Sequence, residues 1–346
     1  MTFDMLLPGI TFIPILGVVI LLIWQKATKN QAAIIGIISE GFALIIPLLL
    51  LSSLKSRGEI IFSLRWIPNM DISFSLALNW LSLIFLLTEV LVTLAAMIYS
   101  LGEDTGEKNS NYYYALLLLF SLGMSGTTLA NDVFLFYVFW ELMLIASVLL
   151  ILLWGHGEIR FKVALKYFII THLGSLMVLV CLVTLYINFG TANLTELTQQ
   201  ASALTSNVQI FLTLFFIIGF SVKMAIFPLH IWLPDAHTVA PMPVTIILAA
   251  AMLSMGTYGI LRFPFTLFPV DTLQNFAIWM MIGGLISEVY GALMALAEKD
   301  VKRIIAYSSV SQMGYILFGL GTLTASGMQG SIMHVVYHAI VKALLF

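Results

Sequence analysis

Charged residues are scarce in this chain: Asp, Glu, Lys and Arg together make up 9% of its 346 residues, whereas hydrophobic residues make up 61%. A water-soluble domain of this size could not bury so much apolar surface, so the composition excludes that class. A transmembrane β-barrel is excluded as well, because barrel strands alternate apolar and polar residues and the apolar runs here are continuous. The chain is therefore predicted to be an all-α polytopic membrane protein.

Cysteine is nearly absent too. Cys181 is the single cysteine, and one thiol can form neither an internal disulfide nor the usual ligand set of an iron–sulfur cluster. The net charge of -2 indicates no particular partner. The chain also lacks a basic patch with interleaved aromatic residues, a nucleotide-binding loop and a redox-cofactor motif. We therefore expect no nucleic-acid partner, no cofactor or metal on this chain, and no electron transfer through it.

Eleven apolar segments are long enough to cross a membrane. They lie at about 5–24, 31–52, 78–101, 112–130, 133–154, 163–188, 208–227, 239–261, 274–296, 303–323 and 329–346. The connections between them are short except for 53–77 and 189–207. This pattern predicts a single membrane domain over 1–346, with no soluble module.

The basic residues outside the segments predict the orientation. With the N-terminus outside, nine lysines and arginines fall on the cytoplasmic side and four fall outside, in the sense of the positive-inside rule. The cytoplasmic set is Lys26, Lys29, Lys108, Arg160, Lys162, Lys166, Lys299, Lys302 and Arg303, and the outer set is Lys55, Arg57, Arg65 and Arg262. We therefore expect a multi-pass protein with its N-terminus outside.

Lys223 lies inside the seventh apolar segment, where a charged side chain costs on the order of 3 kcal/mol even on the most lenient insertion scale. Such a residue usually faces a partner or a water-filled cavity, and Glu141 in the fifth segment is the predicted partner. At ~4 Å and an effective dielectric near 20, the pair would be worth ~4 kcal/mol. Contact and separation could then make Lys223 capture and release a proton. The alternative is a static ion pair between two helices.

Pro228 predicts a break in the seventh helix. Its ring leaves the carbonyl of Met224, one residue after Lys223, without a helical donor. Transporters often build ion sites from such discontinuous helices. The alternative is an ordinary proline at a helix end.

The last apolar segment carries three ionisable residues four positions apart: His334, His338 and Lys342. This spacing places them on one helix face. Because histidine titrates near neutral pH, the stripe is predicted to be a proton relay. Two alternatives stay open: a structural polar face, and a metal site. No acidic or cysteine ligand lies nearby in sequence, and the HExxH glutamate is missing.

Further acidic residues lie at or near membrane depth. Glu89 and Glu288 are each predicted to be either a lateral proton site or a protonated carboxyl that donates a hydrogen bond between helices. Glu40 is placed similarly, but no basic residue suggests itself as its partner, and Asp132 lies at a segment end where solvation is available. The loop 228–237 is either a mouth for proton uptake or, as its tryptophan favours, a turn anchored at the membrane interface.

Three stretches together resemble one family. They read FYVFWELMLI (136–145), KMAIFPLHIWLPDAHTVAPMPV (223–244) and DVKRIIAYSSVSQMGYILFGLG (300–321), and HAIVKALLF (338–346) follows them. These blocks are similar to the antiporter-like subunits of respiratory complex I, of multisubunit cation/proton antiporters and of membrane-bound hydrogenases. The resemblance covers about residues 75–346 and is strongest to the complex I branch.

The resemblance implies a fold of fourteen helices with two inverted five-helix repeats, each containing a broken helix. The first repeat would span about 112–262, and the second would start at about 274 and be cut short at 346. The resemblance also implies that Glu141 and Lys223 take the positions of the fifth-helix glutamate and the seventh-helix lysine. The stripe of His334, His338 and Lys342 looks like the eleventh-helix pattern of some members.

The chain departs from the family pattern in two places. Members usually carry a lysine or histidine in the eighth helix, where this chain has Ser254, which cannot store a proton. The chain also stops at Phe346 inside an apolar run, and an ionised carboxylate there would be costly. We therefore expect a fragment, a split subunit or a partial chain.

Three functions follow as expectations. The first is a proton-translocating subunit of a respiratory NAD(P)H-quinone oxidoreductase-type complex in an energy-transducing bacterial or archaeal cell membrane. Its partners would be other membrane subunits and the lipid bilayer, with quinone, flavin and iron–sulfur clusters in the partner subunits. The second is a subunit of a Na+/H+ antiporter or a membrane-bound hydrogenase complex. The third is a non-pumping structural subunit of such a complex.

Overall fold

The computed structural model describes residues 3–24, 26–103 and 109–346. Lys108, one of the residues counted for the orientation, lies outside the described residues. The described chain is mostly α-helical, with one β-hairpin in its N-terminal part. The helices and strands follow in this order: α1 (Gly9–Ile23), α2 (Lys29–Leu49), α3 (Leu51–Arg57), β1 (Glu59–Ile67), β2 (Ile72–Asn79), α4 (Trp80–Tyr99), α5 (Ser110–Leu129), α6 (Val133–Trp154), α7 (Arg160–Phe189), α8 (Leu194–Gln200), α9 (Ser206–Met224), α10 (Leu233–Val239), α11 (Met242–Ile247), α12 (Leu253–Arg262), α13 (Pro264–Leu267), α14 (Val270–Ala297), α15 (Val301–Gly321) and α16 (Ala325–Leu345).

The predicted fold class is confirmed: the chain is a polytopic, mostly helical membrane protein. Each of the eleven predicted segments overlaps a helix. The count of eleven is not confirmed, since nine helical stretches of the described chain are long and apolar enough to cross a membrane. The helix α1 has only 15 residues, and α16 is not among the nine. The two inverted repeats, with their boundaries at about 112–262 and 274–346, stay a prediction.

The centre of the bundle is the stretch from α11 to α13. An apolar stretch of 18 residues within Met242–Leu267 is wholly buried inside the protein. Only 22% of the corresponding apolar stretch in α14 is buried. Leu296 on α14 is 83% exposed. Apolar side chains exposed over a large area mark faces that meet lipid or another protein.

A β-hairpin occupies most of the segment 53–77, which was predicted as a plain connection. The strands β1 and β2 pair antiparallel, from Glu59 opposite Asn79 to Ile67 opposite Ile72, with an irregularity between Arg65 and Ile67. Asn79 then caps α4 in a capping box: its side chain accepts from the amide of Ser82, and the Ser82 hydroxyl accepts from the amide of Asn79. The hairpin therefore leads directly into the membrane helix.

The seventh apolar segment is broken, as Pro228 predicted. The helix α9 ends at Met224, Ala225 takes a left-handed conformation with φ 57°, and a short 3-10 turn precedes α10. Two side chains bond to backbone groups at the break: the Trp232 indole donates to the carbonyl of Val222 at 3.1 Å, and the Ser287 hydroxyl of α14 accepts from the amide of Phe227 at 3.2 Å. Non-helical backbone at membrane depth persists only where such partners exist.

Glycines bring α14 and α15 into close contact. A methyl group placed on Gly284 would lie 2.6 Å from the carbonyl oxygen of Gly314, and one placed on Gly314 would lie 2.5 Å from the amide of Glu288. The contact repeats at Gly291 and Gly321, each of which faces backbone of the other helix. Small residues permit this approach in membrane helices, where van der Waals packing drives association.

Candidate functional site

Lys223 lies in the last turn of α9, directly before the helix break. Its side chain is buried, with 2% of the residue exposed, and its Nζ has no hydrogen-bond partner among the described residues. The ammonium lies 5.3 Å from the centre of the Trp140 ring. The Trp140 indole is itself fixed, because it donates to the Ser175 hydroxyl at 2.9 Å. A cation–π contact therefore stabilises an otherwise unpartnered buried charge.

Glu141 pairs with His172, a residue that was not among those predicted from the sequence. Its Oε2 lies 3.1 Å from Nδ1 of His172 on α7, whereas its Oε1 has no partner among the described residues. The ion pairs of the described chain do not include a direct contact between Glu141 and Lys223. The charge of Glu141 nevertheless acts on Lys223. The two residues are thus neighbours that do not touch in this structure.

The Glu141–His172 pair lies at the surface of the bundle. The His172 side chain is 34% exposed and that of Glu141 is 16% exposed. Leu173, next to His172, is 59% exposed, so the surroundings are apolar and outward-facing. His172 could have been found from sequence by the argument used for Lys223, because it is an ionisable residue inside an apolar segment.

The three ionisable residues of α16 face α15 and a cavity of about 310 Å³. His334 Nε2 lies 2.6 Å from Oε1 of Gln312, and Lys342 donates to the carbonyl of Ile305 at 2.9 Å and to the hydroxyl of Ser308. Both ring nitrogens of His338 are buried without a partner in the described chain. A cavity of this size has room for several waters next to polar groups.

His237 joins this cluster from α10. It is fully buried, neither ring nitrogen has a partner among the described residues, and its ring lies 5.4 Å from that of Phe346. Its electrostatic neighbours are Lys342 and His338 of α16. The sequence favoured an interfacial turn for the loop that ends at His237. The link to α16 could not be seen from the sequence, because the two segments are about a hundred residues apart.

The rest of that loop forms an ion network with neighbouring helices. Asp235 accepts from Lys166 at 2.8 Å and from Arg303 at 2.9 Å, and Arg303 also donates to Glu298 at 3.0 Å. These residues, except Glu298, line a polar cavity of about 190 Å³ together with His230. The network ties α7, α10 and α15 together at one end of the bundle.

The remaining candidate residues differ in their burial. Glu40 and Glu89 are fully buried, and Oε1 of Glu40 accepts from the Ser121 hydroxyl at 2.6 Å. Glu288 is partly exposed on α14, and no hydrogen bond or ion pair of its side chain occurs within the described chain. Ser254 is buried, and its hydroxyl donates to the carbonyl of Ala251 at 2.5 Å.

Asp132 is a helix cap. Its carboxylate accepts from the amides of Phe134 and Leu135 at 3.0 and 3.1 Å, which satisfies the start of α6, and from the amide of Ser73 at 2.9 Å. Burial raises the pKa of Asp132, and these hydrogen bonds oppose that effect. This capping role fits the predicted position of Asp132 at a segment end.

Metal binding by the histidine pair of α16 stays an alternative without support. Within the described residues no group of three or more His, Cys, Asp or Glu side chains is arranged to hold a metal ion. Such a pair would therefore need further ligands from elsewhere.

Comparisons with known proteins agree with the motifs. A family described as "NADH:quinone oxidoreductase/Mrp antiporter, TM" matches residues 130–346. Subunit M of the NADH-quinone oxidoreductase of Escherichia coli (strain K12) is 36% identical over 363 residues, which cover 99% of this chain and 70% of that protein.

Two solved structures share the fold. A chain of the Mrp complex from Dietzia sp. DQ12-45-1b matches with a TM-score of 0.85 and 27% identity, over 97% of this chain and 37% of that chain. A chain of an archaeal respiratory membrane complex, the membrane-bound sulfane sulfur reductase, matches with a TM-score of 0.87 and 26% identity, over 97% of this chain and 55% of that chain. This chain thus spans about a third of the Mrp chain and about half of the sulfane sulfur reductase chain.

Proposed function

The chain belongs to the NADH:quinone oxidoreductase/Mrp antiporter membrane family, and we propose that it is a non-redox, proton-translocating subunit of a respiratory NAD(P)H-quinone oxidoreductase-type complex. Partner subunits would hold the quinone, flavin and iron–sulfur clusters, and their redox chemistry would drive protons through this chain. The observation that carries the proposal is the buried ammonium of Lys223, which lies at a helix break without a hydrogen-bond partner among the described residues. We place the protein in a bacterial or archaeal energy-transducing membrane with its N-terminus outside.

Glu141 is proposed to alternate between two basic partners. In the described state it bonds to His172, and Lys223 rests over Trp140. When Glu141 turns towards Lys223, the carboxylate stabilises the ammonium, which holds its proton. When Glu141 returns to His172, Lys223 keeps only the contact with the Trp140 ring, which holds its charge less strongly than a carboxylate, and the ammonium gives its proton up. A change of side-chain partner is thereby converted into a proton transfer.

His237 and the stripe on α16 are proposed to carry the proton onward. His237 and His338 are buried, and their ring nitrogens have no hydrogen-bond partner among the described residues. Lys342 and His334 extend the set in both directions along α16. Waters in the adjacent cavity of about 310 Å³ would bridge groups that do not touch. Histidine suits this role because each ring can accept a proton on one nitrogen and release one from the other.

Ser254 is proposed to be a passive part of this route. Its hydroxyl is occupied by the carbonyl of Ala251, and a hydroxyl can extend a water chain but cannot store a proton. We propose that His237 of α10 provides the ionisable group instead. The charge that relatives usually carry in the eighth helix would thus be supplied from the second half of the broken seventh helix.

The variant His172→Asn tests whether His172 takes part in proton transfer or only holds Glu141 in place. The asparagine amide can still donate a hydrogen bond towards Glu141 from near the position of Nδ1, but it cannot accept a proton. We expect proton uptake to slow by roughly tenfold with the complex still assembled, less than the about hundredfold or more typical of a lost acid–base group because Lys223 remains. Proton uptake by inverted membrane vesicles measures the effect. An unchanged rate with His172→Asn would show that His172 only holds Glu141 in place.

A second candidate function is a subunit of a Na+/H+ antiporter or hydrogenase-type complex, and the fold match to the Mrp complex favours the antiporter. Sodium dependence distinguishes the two functions. We expect inverted vesicles that carry the assembled complex to take up protons during quinone reduction at equal rates in sodium and potassium salts. A rate that requires sodium would favour the antiporter. Proton movement without quinone reduction, in response to a sodium gradient, would contradict the proposal.

A further inference from the structure

Two glutamates that lie outside the proposed relay come together inside the N-terminal helices. Glu40 of α2 and Glu89 of α4 are both 0% exposed, and the charge of Glu40 acts on Glu89. Ser121 and Ser125, one turn apart on α5, face the two carboxyl groups: Ser121 bonds to Glu40, and Ser125 lies beside Glu89. We propose that Glu40 and Glu89 form a carboxyl pair that holds an exchangeable proton, separate from the Lys223 relay.

Hydrogen bonding of the two carboxyl groups is incomplete among the described residues. Oε2 of Glu40 and both oxygens of Glu89 are buried without a hydrogen-bond partner in the described chain. A buried carboxyl group in this state is costly, and an ionised one far more so. Protonation removes much of that cost, because a protonated carboxyl is neutral and can donate a hydrogen bond. Carboxyl pairs elsewhere hold one proton between them for the same reason.

Thr93 is a second, independent sign of a polar site. It lies one turn beyond Glu89 on α4, so both side chains lie on the same helix face. Threonines in helices usually donate to a carbonyl three or four residues earlier, as Thr88 does to Ile84 at 2.7 Å. The hydroxyl of Thr93 is 0% exposed and makes no such bond. It is therefore free to donate to a group at the Glu89 carboxyl.

Among the described residues, no cation acts on either carboxyl group. The helix α1, which packs on α2 and α5, has no ionisable side chain, and the ionisable groups of α5 are tyrosines. The helix α16 packs against α4 and carries His338 and Lys342, but the groups that act on Glu89 are Ser125 and Glu40. Because two adjacent carboxylates without a cation cannot both stay ionised, at least one carboxyl is expected to hold a proton.

The exchange route is proposed to pass Tyr258 and Arg262. The ring of Tyr258 packs 5.2 Å from that of Phe85, one turn before Glu89, and its hydroxyl donates to the carbonyl of Thr128. The charges of Glu89 and Arg262 both act on Tyr258. Arg262 is partly exposed and donates to Asn131 at 3.3 Å, beside the helix cap Asp132. The exchange consists only of breaking and forming O–H bonds, so no redox step is involved.

Infrared difference spectroscopy of the isolated, assembled complex tests this pair. We expect the wild type to show a protonated-carboxyl band that shifts in D2O, and this band to be lost in Glu40→Gln and in Glu89→Gln. The band is expected to stay in Glu158→Gln, a matched change at an exposed glutamate. It is also expected to move to a new frequency in Ser121→Ala, which removes the hydrogen bond to Glu40 but keeps both carboxyl groups.

Two results would overturn the proposal. A band unchanged in both glutamine variants would show that the protonated group lies elsewhere. A wild-type band that disappears when sodium replaces potassium at constant pH would identify a metal-cation site instead. If the glutamine variants do not assemble, an unmoved band in Ser121→Ala decides against the pair. None of these readouts requires proton pumping, so the carboxyl pair can fail or stand independently of the proposed function.

Discussion

Gly284→Leu is expected to prevent the chain from reaching the assembled complex. The space for any side chain at Gly284 is taken by the backbone of α15, with the carbonyl of Gly314 and the amide of Phe318 each 2.6 Å from the position of a Cβ. Backbone atoms cannot rotate away as a side chain can, so α14 and α15 must separate. We expect a cost of more than about 3 kcal/mol, beyond ordinary overpacking of a core.

The adjacent Gly283 provides the matched control. No atom lies within 4 Å of a methyl group placed there, so Gly283→Leu adds the same side chain to the same helix without a clash. The amount of this chain in the purified complex measures both variants. We expect near-normal incorporation for Gly283→Leu and little or none for Gly284→Leu. Equal incorporation of the two variants would mean that the close contact between α14 and α15 is not needed for assembly.

Lost contact between α14 and α15 would also affect the functional residues. Ser287, one turn after Gly284, accepts from the amide of Phe227 at the helix break and donates to the carbonyl of Val310 on α15. The helix α15 in turn supplies Gln312 and Ser308, the partners of His334 and Lys342. The glycine contact therefore fixes both halves of the proposed relay relative to each other.

The sequence predicted the features that depend on local rules. Continuous apolar runs gave the helices, Pro228 gave the break, and the four-residue spacing of His334, His338 and Lys342 gave their common face. Each of these follows from neighbouring residues and the geometry of one helix.

Contacts between distant segments could not be predicted in this way. Glu141 bonds to His172, 31 positions later, although the sequence favoured a contact with Lys223, because opposite charge alone does not determine which helices are neighbours. Glu40 appeared to have no partner since only basic partners were considered, whereas its neighbour is another acid. The β-hairpin was missed because two short strands interrupted by polar residues give a much weaker pattern than a membrane helix.

Lys223→Ala is expected to have the largest effect on proton movement. It removes the one ammonium at the helix break, and the small alanine leaves Trp140 and Glu141 in place. Loss of an acid–base group on an obligatory path lowers the rate by about a hundredfold or more. Lys223→Arg is expected to fail as well, even though it keeps the charge, because a guanidinium does not release its proton in a protein. A merely structural cation would be replaced by arginine with little loss.

The number of protons taken up per electron, measured in inverted membrane vesicles with the assembled complex, tests the central claim most directly. If protons pass through Lys223, then in Lys223→Ala and Lys223→Arg either this ratio falls, or electron flow falls together with proton uptake. If both variants assemble and keep the wild-type ratio at the wild-type rate of electron flow, protons do not pass through Lys223. The chain would then be a structural subunit of its complex.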